Sequence, residues 1–238
     1  MRRNYLADII FPINCLGCGR ESQRGDPRDY LCDQCLDTIP NHVKLACLFC
    51  SAPTTAGEIC PFCRKEHHLD YFWSVTEYGY PLVNRTIQAF KYRFVQALGE
   101  PLARLLINYW RNRRITETLK DNPLLVPVPL HRQRKNWRAY NQAEVLAEYL
   151  SKAINLKLAD GALTRPIRRS PQAEITDPNK RRANATNLYA CPDPVLVCDQ
   201  TIVLIDDVAT TGSTLDECAR VLKQAGAKTV AAFVVAKG

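Results

Sequence analysis

Ile202-Val203-Leu204-Ile205-Asp206-Asp207-Val208-Ala209-Thr210-Thr211-Gly212-Ser213-Thr214 carries more information than any other stretch of this chain. An apolar run ends in two adjacent carboxylates, and a hydroxyl-rich loop with one glycine follows. A helical pattern then starts. Leu215, Cys218, Val221, Leu222 and Ala225 recur at helical spacing, and Gly226 stands where such a helix stops. A strand built this way delivers its acids to its carboxyl end, where open α/β sheets bind ligands. The loop offers backbone N–H groups and hydroxyls, and the helix N-terminus adds partial positive charge. Strand, acids, loop and helix together describe a cradle for a phosphorylated sugar. A nucleotide P-loop is excluded, because it requires lysine directly after its last glycine and Ser213 occupies that place.

Around this centre the pattern predicts an α/β domain. Residues 71–79 are aromatic and β-branched and read as an entry strand. Residues 84–113 keep a helical period through Ile87, Phe90, Phe94, Leu98, Leu102, Leu105 and Leu106, with Pro101 as the expected break. Leu124 to Leu130 reads as a short buried strand. Asn141 is an N-cap type with Glu144 three residues on, and the helix it opens should bury Val145, Leu146, Tyr149 and Leu150. Residues 163–187 are polar, basic and proline-punctuated, a long loop of the kind that serves a site. Thr229 to Val235 supplies another strand. Alternating strands and helices imply a parallel sheet covered on both faces.

The first 67 residues are of a different kind. Eight of the chain's 11 cysteines form four C-x-x-C pairs: Cys15/Cys18, Cys32/Cys35, Cys47/Cys50 and Cys60/Cys63. Two such pairs complete a closed tetrahedral site of four thiolates, so four pairs imply two structural zinc ions. Sequential pairing is the simplest arrangement, and spacing alone leaves open an interleaved one, first pair with third. His42, His67 and His68 are not needed as ligands. A segment this short, with several glycines and prolines, buries too little apolar surface to fold without such staples. The expected organisation is a double zinc ribbon over residues 1–67 and an α/β domain over residues 71–238. Cys218 falls on the apolar helix face and reads as core.

Charge divides along the same line. Residues 1–70 hold 8 Lys/Arg and 9 Asp/Glu, whereas residues 71–238 hold 24 and 15. A basic larger domain favours polyanions, whether phosphorylated ligands or nucleic acid. No apolar run has the length of a membrane span. Asp8 interrupts the apolar stretch an export signal would need, so the expected location is the cytoplasm.

The segment 202–214 resembles the 5-phosphoribosyl-1-pyrophosphate (PRPP) motif of type I phosphoribosyltransferases. Two further segments extend the likeness: Val126-Pro127-Val128-Pro129-Leu130-His131 with Arg134, Arg138, Asn141 and Gln142, then Arg165, Pro171-Gln172, Arg181 and Asn184. With the cysteine-rich start, nearly the whole chain is similar to the ComF family, competence-associated proteins with a phosphoribosyltransferase-like domain. Ala139 and Tyr140 stand where many members have glycine and an aromatic. The resemblance implies that Asp206 and Asp207 are the catalytic pair and hold the ribose 2′- and 3′-hydroxyls. Ala209, Thr210, Thr211, Gly212, Ser213 and Thr214 would then wrap the 5′-phosphate. Val128, Pro129, Leu130, His131, Arg132 and Arg134 would form the pyrophosphate loop, with a cis peptide near Val128. Magnesium would accompany PRPP. Lys91-Tyr92 matches a family position, although Lys91 alone reads as a surface lysine. Trp137 would stack a base or anchor its loop.

Three functions remain open on these residues. One is a competence protein that binds PRPP and helps to handle single-stranded DNA during uptake, together with a competence or DNA-processing protein partner. Another is a true phosphoribosyltransferase with an unidentified acceptor. The third is a non-catalytic adaptor that senses PRPP or a related sugar phosphate. Thr210 stands where some purine-salvage enzymes carry an aspartate that handles a base proton, which weighs against a purine-salvage role.

Overall fold

A computed structural model of the chain describes residues 13–21, 30–41, 44–93, 95–130, 137–166 and 188–238. Its centre is a four-stranded, wholly parallel sheet of β1 (Tyr71–Glu77), β2 (Leu124–Pro127), β3 (Thr201–Ala209) and β4 (Thr229–Lys237), in the order β1-β4-β3-β2. The two longest strands are central, and β4 is buried at every position between its ends. That is why it reads as one continuous apolar run rather than as an alternation.

Side-chain alternation along β3 sorts the core into two layers. Val203 and Ile205 pack with α2 (Pro81–Tyr92), α3 (Gly99–Asn112) and α5 (Gln142–Ile154), through residues such as Phe90, Leu106 and Leu146. Ile202 and Leu204 pack on the opposite face with α6 (Ser213–Gln224), through Leu215, Cys218 and Leu222. Two shorter helices also lie among the described residues, α1 (Asp33–Asp37) in the cysteine-rich region and α4 (Ile115–Leu119) after α3. Fully burying one Leu, Val or Phe contributes about 1.5–3 kcal/mol, so both faces are needed to hold β3 in place.

The expected helical run 84–113 is two helices, the first ending at Tyr92 and the second beginning at Gly99. Pro101 does not break it. It lies in the first turn of α3, where a missing N–H costs nothing. Asn141 caps α5 as expected, its side chain accepting from the Ala143 N–H. Tyr149 departs from expectation and is exposed. No cis peptide occurs among the described residues, so the one expected near Val128 is absent. The Val128 N–H instead extends the ladder, donating to Ile205 O at 3.0 Å.

The cysteine-rich region packs onto both layers. Cys15, Leu31, Leu36 and Ile39 join the α2/α3 side, and Cys47, Leu48, Ile59 and Cys63 join the α6 side. Asp33 pairs with Arg104 of α3, and Trp73 Nε1 of β1 donates to Ala56 O at 2.9 Å. His42, Phe94, His131, Arg132, Arg134, Lys135, Pro171, Gln172, Arg181 and Asn184 fall outside the described residues, as does the stretch 167–187 of the expected long loop.

Candidate sugar-phosphate site and metal centres

β3 carries its two acids to the carboxyl end of the sheet, and the alternation sends them to different faces. Asp207 follows Val203 and Ile205 toward α2, where Lys91 Nζ meets its Oδ1 at 2.9 Å. Asp206 lies on the α6 side and accepts the Asp207 N–H on Oδ1 at 2.8 Å. Burial and the negative charge of Asp207 push the Asp206 carboxyl up to about 7, against the opposing pull of Lys91 and Arg138. Burial acts to lower the Lys91 pKa, but the Asp207 carboxylate outweighs it and the net shift is upward. The Lys91 ammonium is therefore held in its charged form.

These acids line a cavity of ≈ 180 Å³ with Val128, Pro129, Leu130 and Thr214. Among the described residues its cations are Lys91, Arg138 and Arg165. Arg138 stacks over the Tyr92 ring at 4.9 Å and reaches Gln142 Oε1 at 3.3 Å. Arg165 stacks over Tyr189 at 5.3 Å. The Nε atoms of both arginines are buried and have no hydrogen-bond partner among the described residues. Three cations against two acids, one of which readily takes a proton, suit a ligand that is both polyhydroxylated and anionic. Asn141 braces the wall opposite the acids, donating from Nδ2 to Val128 O at 3.0 Å while its Oδ1 caps α5.

The turn between β3 and α6 has the expected character. Thr210, Thr211 and Ser213 are exposed and Gly212 is buried. Gly212 is the N-cap of α6 with φ +79°, a conformation that favours glycine. Thr211 Oγ1 and Ser213 Oγ lie 2.8 Å apart, and Ala209 O accepts the Gly238 N–H at 2.8 Å.

The structure thus brings together Asp206, Asp207, Thr214, Val128, Pro129 and Leu130, with Ala209 to Ser213 continuing from the strand end. Lys91 is not the surface lysine it resembled. Its partner lies on a distant strand of the sequence, so no local signal could have revealed the pair. Tyr189 was also missed, because nothing near it in the sequence marks a site. Trp137 is exposed and lies 6.1 Å from Tyr92 at the edge of the pocket.

The cysteines form two clusters, Cys15/Cys18/Cys32/Cys35 and Cys47/Cys50/Cys60/Cys63, each with its sulfurs within 4.8 Å of one another. Sequential pairing is therefore the arrangement adopted. Zn–S bonds of about 2.3 Å at tetrahedral angles put sulfurs about 3.8 Å apart. Cys18 Sγ and Cys32 Sγ are 3.9 Å apart, and Cys50 Sγ and Cys60 Sγ are 3.6 Å apart. Burial acts to raise the Cys15 thiol, but N–H groups of Cys32, Cys18 and Gly17 outweigh it and bring it down to about 6. Cys47 reaches about 6 in the same way through Cys50, Cys60 and Phe49. Burial and neighbouring sulfurs push Cys35 up to about 12, a crowding that a divalent cation relieves. The donor sets fit structural zinc. His67 and His68 face Asp216 instead of either cluster.

The family model of the phosphoribosyl transferase domain matches residues 125–238, and that of the double zinc ribbon domain matches residues 6–64. DNA utilization protein YhgH of Escherichia coli O157:H7 is 31% identical over 190 residues, covering 79% of this chain and 82% of that protein. The chain belongs to the ComF family. Competence protein F of Haemophilus influenzae is 28% identical over 235 residues, 96% of this chain and 98% of its own. Competence protein ComFC of Bacillus subtilis is 28% identical over 223 residues, covering 87% and 82%. In ComF terms, the double ribbon and the transferase-like sheet are the two modules whose cores merge here. No helix among the described residues is long and apolar enough to cross a membrane.

Proposed function

We propose that this ComF-family chain binds PRPP with magnesium in the Asp206–Asp207 cavity and takes part in handling single-stranded DNA during DNA uptake. The observation that carries the first half is the convergence of an acid pair, three cations and a hydroxyl-rich helix N-terminus on one small cavity. Asp206 and Asp207 accept the ribose 2′- and 3′-hydroxyls. Backbone N–H groups and hydroxyls of Thr210 to Thr214 hold the 5′-phosphate. Val128, Pro129 and Leu130 line the cavity and, with His131, Arg132 and Arg134, are assigned to the pyrophosphate, and Arg138 and Arg165 are cations of the same cavity. Magnesium is a hard cation that takes oxygen ligands. Asp206 and Asp207 are the carboxylates of this cavity that could share it with the ligand, and the ion would neutralise pyrophosphate charge there.

If the anomeric C–O bond breaks, the sugar ring gains positive charge and the leaving group negative charge. The acid pair steadies the first, and Arg138, Arg165 and the loop N–H groups steady the second.

Support for the DNA half comes from the relatives' names, competence protein and DNA utilization protein, and from the basic character of residues 71–238. The exposed Trp137–Tyr92 pair beside Arg138 has the aromatic-and-basic composition that stacks unpaired bases. The two modules act in the cytoplasm, residues 1–67 as ribbon and 71–238 as ligand-binding domain, together with a competence or DNA-processing protein partner. Thermal shift with PRPP and magnesium, pyrophosphate release across a panel of bases, and salt-dependent retention of single-stranded DNA test this reading. A thermal shift and salt-sensitive DNA binding are expected. Turnover would move the assignment to an enzyme, and absence of both binding activities would refute it.

A further inference from the structure

The phosphate loop rests on the cysteine-rich region. A Cβ at Gly212 would come within 2.5 Å of Leu48 Cδ2 and 3.1 Å of Phe49 Cε1. Leu48 and Phe49 lie in the turn between Cys47 and Cys50 of the second cluster, so this turn lies directly beneath the loop backbone. It is the reason Gly212 is buried while its neighbours on both sides are exposed. Phe49 in turn stacks on His67, with ring centres 3.5 Å apart and planes 2° from parallel.

A second grip lies one turn further on. Asp216 is in the first turn of α6, and its backbone N–H donates to Gly212 O at 2.9 Å. Its Oδ1 accepts the His68 N–H at 2.7 Å, and its Oδ2 lies 2.9 Å from His67 Nδ1. Both carboxylate oxygens therefore point to the ribbon. By charge alone, an acid in the first turn weakens anion binding at a helix N-terminus. Turned aside and tied by two contacts, it links α6 to the metal-binding module.

We propose that the second ribbon is a positioning element for the phosphate loop. Asp216, clasped by His67 and His68, and the Leu48–Phe49 platform under Gly212 hold residues 209–214 with their N–H groups facing the anion. Affinity for the 5′-phosphate then depends on a contact made by the zinc ribbon. The inference rests on the reading of this loop as the 5′-phosphate cradle.

Zinc-replete wild type, Asp216→Ala and Asp216→Asn are titrated with PRPP, ribose 5-phosphate and inorganic pyrophosphate. Electrostatics alone and positioning predict opposite signs, since removing the acid should tighten phosphate binding unless the acid holds the loop. The expected result is a loss of about tenfold or more for PRPP and ribose 5-phosphate in Asp216→Ala, with pyrophosphate changed by less than about twofold. Asp216→Asn keeps an oxygen for the His68 N–H and should recover most of the loss. Phe49→Ala, which leaves every cysteine in place, carries the same ligand-selective prediction should Asp216→Ala fail to fold. Unchanged or tighter PRPP binding in these variants, or a parallel loss of pyrophosphate, overturns the proposal. Wild type that binds neither sugar phosphate refutes the cradle reading itself, and the proposal with it.

Discussion

Replacing Lys91 with Met removes the cation that lies 2.9 Å from Asp207 Oδ1 in a pair only 20% and 6% exposed. Removing one partner of a buried pair costs about 3–5 kcal/mol, because the remaining charge is left uncompensated. Arg138 still acts on the acid pair, which places the expected cost near the lower end, about 3 kcal/mol at alkaline pH. The pH dependence follows from Asp206. Its folded pKa, about 7, lies above the ordinary 3.8, so between those values the folded state holds a proton that the unfolded state has released. Stability from this group is therefore present at low pH and falls as pH rises through that window. Without Lys91 the folded pKa climbs further and the fall extends above 7. At about pH 6 the pair shares a proton, and the loss should shrink to about 1 kcal/mol, the size of an ordinary hydrogen bond. Urea unfolding of wild type and Lys91→Met, in zinc-containing buffer at about pH 6 and about pH 8.5, reads both numbers. Equal destabilisation at the two pH values, or none at either, would refute the electrostatic account of the pair.

Two other outcomes are expected. Asn141→Ala loses a helix cap worth about 1 kcal/mol and leaves the Val128 carbonyl short of a donor at about 1–3 kcal/mol, so unfolding should be easier by about 2–4 kcal/mol. A loss below about 0.5 kcal/mol would show that the cap and the strap on Val128 contribute little. Zinc chelation should lower the melting temperature of the whole chain, because Cys15 and Cys47 sit in the same two core layers as the sheet. Trp73, bonded to Ala56 O, reports the change by fluorescence. An unaltered sheet transition after metal removal would mean the modules are energetically separate.

What the sequence revealed and what it hid follow from the range of the interactions. The strand–acid–loop–helix order of 202–214 and the C-x-x-C pairs are local chemistry, so residue types at fixed spacing suffice to read them. The Asn141 cap is local too. The break between α2 and α3 was misplaced because proline is tolerated in a first helical turn, and no other residue between 93 and 98 signals a stop. Tyr149 keeps the helical period yet lies at its edge, which periodicity alone does not resolve. The links that shape the site join residues far apart in the chain: Lys91 to Asp207, His68 to Asp216, Leu48 to Gly212. The last two, together with the shared core layers, also bind the cysteine-rich region to the α/β domain, a feature that composition, which divides the chain near residue 70, cannot disclose.

The central claim, that adjacent acids at the end of β3 recognise an activated pentose, is tested most directly by calorimetric titration of PRPP with magnesium into wild type and Asp206→Asn. Asn at 206 removes like-charge repulsion from Asp207, so the variant should be at least as stable as wild type above neutral pH, and weaker binding could not be ascribed to unfolding. Losing a charged acceptor for a sugar hydroxyl is worth about 1.5–3 kcal/mol, so affinity should fall between about tenfold and about a hundredfold. Saturable binding by wild type with that loss is the predicted result, and equal affinity in the two proteins would contradict the account.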